Sequence, residues 1–439
     1  MRVMKWSAIA LAVTAAAAAS QMASAEAFVS DQAESKGFVE DSTLNLLLRN
    51  YYFNRDVKNG GNDQRDWTQG IQGVFSSGFT QGTIGVGVDA FGYLGLNLWG
   101  PNKYAGSGNL AQDSDGGNKD DYSKAGAAVK FRISKTMLKI GDMQPTTSPV
   151  FAIGGSRLTP QTASGISLMS SEIEGLDVEA GHFYSSTSQN STSRDGELWA
   201  NYAGVPANSM DFVGGRYAIN DQLSVGVYGS KLEDVWDQYY GNVNYALPLS
   251  DDQSVTFDFN YYNTQDEGSS NAGDINNNTY SLAAAYSFMA AHTLTLGFQK
   301  VNGSTPFDYI GVGDNNKGGD SIFLANSIQY SDFNGPGEKS WKAQYDLNMA
   351  TYGVPGLTFM TRYVYGYDIK ASDNPNYAYY SGDAKHHETN LEAKYVIQEG
   401  PAKDLSFRIR QAWHSASSNQ ADGDANEFRL IVDYPLSIL

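Results

Sequence analysis

The chain of 439 residues contains no cysteine, so neither disulfides nor cysteine-based metal sites support its fold. Proline is scarce, with 12 residues, and no Pro-rich or Ser-rich linker divides the chain into domains. After residue 25, no apolar run is long enough to form a membrane-spanning helix. These absences exclude a disulfide scaffold and a helical membrane protein. They leave a membrane β-barrel open, because strands that alternate in polarity look polar on average.

Basic residues are also few: 30 Lys and Arg stand against 48 Asp and Glu, giving a formal net charge of −18. This acidic balance argues against nucleic acid as a partner. The acidic residues concentrate in polar runs such as 112–116 and 265–268, whereas Lys and Arg recur inside segments of alternating polarity. The mean charge therefore does not describe the surface that those alternating segments would enclose.

The first 25 residues have the pattern of an export signal. Arg2 and Lys5 precede an alanine-rich apolar stretch over residues 9–19, and Ala23–Ala25 forms a small-x-small cleavage site. A buried N-terminal helix is the alternative interpretation. The pattern predicts that residues 1–25 are a signal peptide and that the mature chain begins near Glu26, stabilised without disulfides.

The last hairpin shows the alternation most clearly. In its first arm Phe407, Ile409 and Trp413 share one face, and Arg408 and Arg410 share the other, because successive strand side chains point to opposite sides. The second arm repeats the pattern, with Phe428, Leu430, Val432, Tyr434 and Leu436 on one face and Arg429 and Asp433 on the other. A soluble sandwich would bury the apolar face, whereas a membrane barrel would turn it to lipid and the arginines to a wet lumen.

Connection lengths decide between these two architectures. Alternating segments of roughly 9–13 residues, the length that a tilted membrane strand needs, recur from residue 42 to the end. Short turns alternate with long connections, and the long ones span residues 96–121, 144–162, 187–208, 302–337 and 370–385. Placing the candidates 197–202 and 322–330 inside long loops restores strict alternation and leaves 18 strands. The sequence therefore predicts that residues 26–439 form a single all-β, antiparallel transmembrane barrel in the outer membrane.

The inward parity of these strands carries repeated cations. They are Arg49, Arg55, Lys130, Arg132, Arg408, Arg410 and Arg429, and we call the set without Arg55 the basic ladder. Rings of charged side chains set the selectivity of aqueous pores, so these residues are candidates for guiding an anionic group. In the alternative interpretation they pair with Asp and Glu inside a plugged, structural barrel.

Several segments carry a resemblance to a known family. They are FVSDQAE (28–34), LLLRNYYFNRD (46–56), DAFGYLG (89–95), GSRLTPQT (155–162) and KHHETNLEAKY (385–395). They resemble the porin D (OprD) family of substrate-specific porins of Gram-negative bacteria, over essentially the whole mature chain. The resemblance implies an 18-stranded barrel and uptake of carboxylate-bearing solutes: basic amino acids, small basic peptides and carbapenem antibiotics. Residues 112–118 and 371–381 depart most from the family, which leaves room for a shifted substrate preference.

The resemblance also implies roles for single residues. Loops after the fifth, seventh and thirteenth strands would fold inward as an eyelet, with Arg157 on the first of them. It further implies that Tyr202, on the second loop, and Tyr309 and Asp332, on the third, form an electronegative pocket opposite the basic ladder.

A serine peptidase activity suggested for the family would map its triad onto His182, Asp234 and Ser321. Triad chemistry needs the histidine within hydrogen-bond reach of the serine, which spacing in a sequence cannot show. We therefore favour a substrate-specific channel over an enzyme. A general-diffusion porin and a plugged structural barrel remain open as competing interpretations.

No cofactor is expected. His386 and His387 point to opposite faces of a strand and cannot easily share one ion, so no metal site is expected either. The expected partners are outer-membrane lipid, lipopolysaccharide and small solutes, with the protein as a monomer or weak trimer.

Overall fold

The computed structural model describes residues 27–58 and 60–439, and the predicted signal peptide lies outside them. Its regular structure is almost entirely β-strand. Among the described residues, four short 3₁₀ helices span Gln32–Glu34, Asn102–Tyr104, Met349–Tyr352 and Pro375–Tyr377. No helix in the described part of the chain is long and apolar enough to cross a membrane.

Eighteen antiparallel strands form one closed barrel, which confirms the predicted fold and strand number. They are β1 (Thr43–Val57), β2 (Gln64–Ser76), β3 (Gly85–Trp99), β4 (Asp121–Ile133), β5 (Thr136–Met143), β6 (Thr162–Ile173), β7 (Leu176–Thr187), β10 (Met210–Ala218), β11 (Leu223–Leu232), β12 (Trp236–Ser250), β13 (Gln253–Asp266), β14 (Asn276–Phe288), β15 (His292–Asn302), β18 (Lys339–Asn348), β19 (Leu357–Ile369), β20 (Ala384–Val396), β21 (Ser406–Ala416) and β22 (Ala425–Ser437). The barrel closes where β1 pairs with β22, in a register that sets Arg49 opposite Asp433.

Four further strands lie inside the long loops. They are β8 (Leu198–Ala200), β9 (Val205–Ala207), β16 (Ile310–Val312) and β17 (Lys317–Gly318). Because β16 pairs with β8, the loop after β7 and the loop after β15 share one small sheet. The candidate strand at 197–202 thus belongs to a loop, as predicted, and residues 322–330 contain no strand.

The alternation of the barrel strands sorts apolar and polar side chains as predicted. On β4, Val129, Phe131 and Ile133 are exposed on the outside of the barrel, whereas Lys130 and Arg132 point inward and are buried. The outer faces of the other strands carry the same kind of exposed apolar residues, which suits contact with acyl chains.

The alternation of short and long connections holds only in part, because residues 58–63 and 417–424 at the long-loop end are no longer than residues 77–84 and 397–405 at the opposite end. Residues 233–235 join β11 to β12 at the end of the barrel that carries the long loops. A short connection at this end does not disturb the strand count, because direction in the barrel is fixed by pairing with both neighbours. Connection length is therefore a guide to orientation and not a strict rule.

An aromatic cluster packs the infolded loops against the barrel wall. The rings of Phe151 and Phe183 are 4.5 Å apart, and those of Tyr262 and Phe307 are 4.6 Å apart. Tyr262 also donates a hydrogen bond to the carbonyl of Pro149, at 3.0 Å. The main hydrophobic cluster thus lies inside the barrel, where it fixes the loops that narrow the lumen.

The N-terminal segment, residues 27–42, is tied to the opposite end of the barrel. The backbone N–H of Gln32 donates a hydrogen bond to the carbonyl of Ser134, at 2.8 Å. The side-chain oxygen of Gln32 accepts one from Arg132 Nε, at 2.9 Å. The amide of Phe28 donates to Asp177 on β7. These contacts cover Arg132, which accounts for its burial.

Candidate functional site

An acidic pocket, which we define as Tyr202, Tyr309, Ser327 and Asp332, lies where the loops after β7 and β15 meet. One Asp332 oxygen accepts hydrogen bonds from the hydroxyls of Tyr202, at 2.8 Å, and Tyr309, at 3.0 Å. The other accepts from Ser327 Oγ, at 2.6 Å. Within residues 27–58 and 60–439, no Lys, Arg or His side chain forms an ion pair with this carboxylate. The pocket therefore presents a negative charge that only neutral donors stabilise.

Asp308 holds the two tyrosines in place. Its carboxylate accepts the backbone N–H groups of Tyr202, at 2.8 Å, Ala203, at 2.9 Å, and Tyr309, at 2.8 Å. The hydroxyl of Tyr377, from the loop after β19, donates a fourth hydrogen bond at 2.9 Å. Asp308 is therefore a positioning residue for the pocket. Sequence reasoning missed it, because strand alternation carries no signal for a carboxylate that binds loop amides.

The loops shift the titration of these acidic groups. Burial raises the pKa of Asp332 above its ordinary value, and its three hydrogen bonds oppose part of that rise. Burial also raises the pKa of Tyr202 and Tyr309, and the nearby Asp332 charge adds to the rise, so both hydroxyls stay protonated as donors. Asp320 lies on the loop after β15, where the surrounding loop atoms desolvate its carboxylate and raise its pKa to about 6.

A basic wall spans the neighbouring strands β19 to β22 and β1, with arginines on all of them except β20. Its members are Arg49, Arg55, Arg362, Arg408, Arg410 and Arg429. Arg408 donates two hydrogen bonds to Glu392, at 2.9 and 2.8 Å, and Arg410 Nε lies 3.1 Å from the same carboxylate. The bidentate pair fixes the Arg408 guanidinium in one orientation and leaves its remaining N–H groups free of Glu392.

Two more carboxylates hold the other end of the wall. Glu427 pairs with both Arg55, at 2.5 Å, and Arg429, at 2.6 Å. Asp433 pairs with Arg49, at 2.8 Å. The wall thus carries more guanidinium groups than paired carboxylates, so it remains net positive.

Accessibility separates the members of the wall. The Arg408 side chain is 35% exposed, whereas Arg429 is 3% exposed and donates to the carbonyl of Gln329. Arg408 is therefore the better placed to meet a solute, and Arg429 mainly holds the loop. Arg362 was missed by sequence reasoning, although the same inward parity on β19 sets it opposite Asn390, to which it donates at 2.5 Å.

Two residues of the predicted basic ladder lie in a different environment. Lys130 donates to Ser76 and Asp89, at 2.6 and 2.7 Å, and the N-terminal segment covers Arg132. Neither belongs to the basic wall. Strand parity gives the face of the barrel on which a side chain lies, but it gives neither the height along the barrel nor the covering partner.

Arg157 lies on the loop after β5, and its backbone is fastened to the wall. Arg49 Nη1 donates to the carbonyls of Arg157, at 2.7 Å, and Gly155, at 3.0 Å. The Arg157 side chain donates to the carbonyl of Ser107, at 3.0 Å, and its guanidinium lies 5.4 Å from the ring centre of Phe53. Arg157 is therefore brought to the positive side of the constriction.

The loop after β15 connects wall and pocket directly. Gln329 contacts the wall by donating to Glu427, at 3.2 Å, and the ring of Tyr330 lies under the Arg55 guanidinium, at 4.9 Å. Asp332 follows two residues later and faces the tyrosines. Positive and negative groups therefore lie on two sides of one short loop segment inside the lumen.

The three peptidase candidates are not brought together. His182 Nδ1 lies 2.8 Å from Asp211 Oδ1 on the outer surface of the barrel. Asp234 accepts from the amide of Ser269, whereas Ser321 is fully buried and its hydroxyl is 3.5 Å from the carbonyl of Ala152. Each residue is engaged elsewhere, so the structure does not assemble the triad.

Comparison with known proteins identifies relatives of this architecture. The family model described as "outer membrane porin, OprD family" matches residues 36–438. Porin D of Pseudomonas aeruginosa is 66% identical, with both chains covered completely. A crystal structure of Pseudomonas aeruginosa OprD superposes with a TM-score of 0.83 at 64% identity, covering 94% of this chain and 100% of the other.

A more distant structure carries a ligand. The crystal structure of Pseudomonas aeruginosa OpdK with vanillate superposes with a TM-score of 0.81 at 32% identity. It covers 91% of this chain and 100% of the other. The same barrel thus occurs among relatives that share only a third of the sequence.

Proposed function

Because this chain belongs to the OprD family of outer-membrane porins, and so is a substrate-specific channel, we propose that it admits small solutes bearing both a carboxylate and a cationic group. Basic amino acids, small basic peptides and carbapenem antibiotics have this chemistry. Movement is passive, so selectivity comes from contacts that favour entry without holding the solute.

One observation carries the proposal: an acidic pocket that has no cationic partner among the described residues lies two residues along the chain from a segment bound to the basic wall. The exposed N–H groups of Arg408 and its neighbours donate hydrogen bonds to the carboxylate of a solute and attract its charge. The cationic end of the same solute is attracted to Asp332, whose charge no described cation neutralises. A solute with only one of the two charges is attracted by the basic wall or by the acidic pocket, but not by both.

The pairing within the wall also favours release. Glu392 and Glu427 already neutralise part of the charge on four arginines, so each arginine offers a solute a partial attraction. A carboxylate can then exchange one guanidinium for the next without a deep energy minimum. The vanillate held by the OpdK crystal structure is also a carboxylate, which supports the assignment of the anionic group.

Liposome swelling with arginine, lysine, glycine and a carbapenem tests the proposal on the wild type and Asp332→Asn. We expect the substitution to lower the ratio of arginine to glycine uptake about two- to tenfold, because arginine carries a side-chain cation that glycine lacks and a lumen-facing ion contact is worth roughly 0.5–1.5 kcal/mol. Asp115→Asn is the matched control, since it removes one negative charge from an exposed outer loop. An unchanged ratio in Asp332→Asn, with glycine uptake as fast as that of arginine, would favour a general-diffusion pore.

Two features of the mature protein belong to the same proposal. Residues 1–25 are removed on export, so N-terminal sequencing of outer-membrane material is expected to begin near Glu26, and an intact Met1 would contradict this. One chain closes a complete barrel, so a monomer has its own pore, and a weak trimer would multiply pores without changing the site.

A further inference from the structure

We propose that His386, His414 and Asp422 bind a divalent transition-metal ion of the zinc class and thereby fasten the loop segment that carries Asp332. His386 lies on β20, His414 on β21 and Asp422 in the loop between β21 and β22. Their candidate ligand atoms lie within 4.8 Å of one another. The site uses none of the residues of the acidic pocket or the basic wall, so metal binding can be tested separately from the proposed solute selectivity.

The two imidazoles face each other at short range. His386 Nδ1 lies 2.8 Å from His414 Nε2 and 3.8 Å from Asp422 Oδ2. Zinc bonds of about 2.0–2.2 Å in tetrahedral geometry separate ligand atoms by about 3.3–3.5 Å. Small side-chain rotations therefore suffice to lengthen the distance between His386 and His414 and to shorten the distance between His386 and Asp422.

Each histidine is oriented by a second partner on its outer nitrogen. His386 Nε2 lies 2.7 Å from Glu338 Oε1, and His414 Nδ1 lies 2.6 Å from the carbonyl oxygen of Gly423. Metal-binding histidines commonly hold such a carboxylate or carbonyl partner, which fixes the ring and directs the free lone pair at the ion. Both imidazoles are buried, as is Glu338.

Counting hydrogens between the two rings points to a missing positive species. The Gly423 carbonyl only accepts, so His414 Nδ1 donates, and a neutral His414 then has a lone pair at Nε2. If His386 likewise donates from Nε2 to the Glu338 carboxylate, two lone pairs face each other at 2.8 Å. A proton on His386 Nδ1, donated to His414 Nε2, removes this repulsion, and so does a metal ion between the nitrogens, which also engages Asp422.

The ligand set favours zinc among common ions. Two imidazoles and one carboxylate suit zinc and related divalent ions, whereas calcium and magnesium prefer oxygen ligands alone. The Asp422 side chain is 29% exposed, so an ion can enter from the loop end of the barrel. Water or Ser331 Oγ, which donates to Asp422 at 2.6 Å, can complete the coordination.

The site contacts the pocket loop on both sides of Asp332. Tyr330 donates from its hydroxyl to the Asp422 carbonyl, at 2.8 Å, and its ring lies 4.9 Å from that of His414. The Phe333 ring lies 4.2 Å from that of His386. A bound ion would therefore hold residues 330–333 in place and reduce fluctuation of the constriction.

The adjacent histidine provides a matched control. His387 points to the outer face, where its ring packs 5.7 Å from Tyr363, so it cannot reach the site. The expectation that no metal site exists rested on His386 and His387 alone. Pairing of β20 with β21 supplies a different second histidine, which the sequence did not place beside His386.

The test uses untagged, full-length mature barrel in detergent, titrated with Zn²⁺ by calorimetry and with Co²⁺ by visible absorption. We expect one ion per chain and the intense d–d bands of tetrahedral cobalt. His414→Gln and Asp422→Asn should each weaken binding about tenfold or more, and Glu338→Gln should do so to a similar or smaller extent. His387→Gln should bind as the wild type does. Heat-dependent gel mobility confirms that each variant is folded.

Single-channel recording supplies the second measurement. Zn²⁺ added on the loop side should reduce current fluctuations in the wild type and in His387→Gln but not in His414→Gln, and a chelator should restore them. The proposal is overturned if folded wild-type protein binds neither ion at millimolar concentration, or if His387→Gln weakens binding as much as His414→Gln.

Discussion

The basic wall and the acidic pocket hold opposite charges in one lumen, and they are built in different ways. The wall spans β19 to β22 and β1, and five of its six arginines are paired with carboxylates, as Arg408 is with Glu392. The pocket stands on loops, and within the described part of the chain the Asp332 carboxylate accepts hydrogen bonds from hydroxyl groups alone. The wall therefore spreads a partly neutralised positive charge over a long path, whereas the pocket concentrates one negative charge at one point.

This difference assigns the two regions different tasks. A graded row of partly neutralised guanidinium groups favours movement of a carboxylate along the barrel wall. A single carboxylate that has lost solvent but keeps its charge discriminates between solutes that do and do not carry a cation. The wall should therefore be sensitive to loss of its internal carboxylates, and the pocket should be sensitive to pH.

The largest expected effect is on the stability of the wall. Glu427 is fully buried and neutralises both Arg55 and Arg429, so Glu427→Gln leaves two guanidinium groups without their carboxylate. Breaking a buried ion pair from one side costs roughly 3–5 kcal/mol. Urea-dependent unfolding of the reconstituted barrel measures this loss.

Asp433→Asn is the control for that substitution. Its pair with Arg49 is partly exposed, at 25% and 16% for the two side chains, so we expect a loss of no more than about 1 kcal/mol. Equal losses in the free energy of unfolding of the two variants would show that the wall is not held by a buried charge cluster.

The same contrast explains how much the sequence could predict. The wall was predicted because strand side chains alternate with a period of two, so Arg408 and Arg410 had to share the inner face. Strand alternation does not give the height of a side chain along the barrel or the residues around it. Lys130 and Arg132 were therefore grouped with arginines that they do not contact. Arg362 obeys the same rule and could have been found.

The pocket could not be derived in this way. Tyr202 and Tyr309 came from family resemblance, and Asp308, which orients both, came from neither source. Its role depends on the pairing of β8 with β16, two strands of three residues each, separated by more than a hundred positions. Short loop strands carry no periodic signal, and contacts between distant loops depend on the tertiary fold.

An intermediate effect is expected from pH, and it belongs to Asp332 of the pocket and to Asp320 on the same loop. Because the pKa of Asp320 is raised to about 6 and that of Asp332 lies above its ordinary value, both lose charge as pH falls through those raised values. Cation preference should be full above about pH 7 and decline toward pH 5, whereas ordinary aspartates, with a pKa near 3.9, would keep it.

Reversal potentials in a KCl gradient measure that preference across pH 4 to 8. Loss of a unit charge a few ångströms from the ion path is worth at least about 1 kcal/mol, so the permeability ratio should change about fivefold. Asp320→Asn should remove the part of the transition near pH 6 and leave the part due to Asp332. A preference that stays constant down to pH 4 would contradict the desolvation of both carboxylates.

The smallest effect is expected where the wall meets the solute. Arg408 is its most accessible paired member, and Arg408→Gln removes one guanidinium while Glu392 keeps Arg410 as a partner. An exposed ion contact is worth roughly 0.2–1 kcal/mol, so uptake of a carboxylate-bearing solute should slow about two- to fivefold. The loss should shrink in high salt, because the screening length falls from about 10 Å at 0.1 M to about 3 Å at 1 M.

Lys103→Gln, in an exposed outer loop, removes the same charge away from the wall and should leave uptake unchanged. Arg429 is unsuitable for this test, because its burial beside Glu427 makes it part of the stability experiment. If Arg408→Gln slows glycine and arginine no more than it slows a neutral sugar, the effect is one of pore width and the wall does not recognise carboxylates. If it slows both amino acids but not the sugar, and only at low salt, the partly neutralised wall acts through charge.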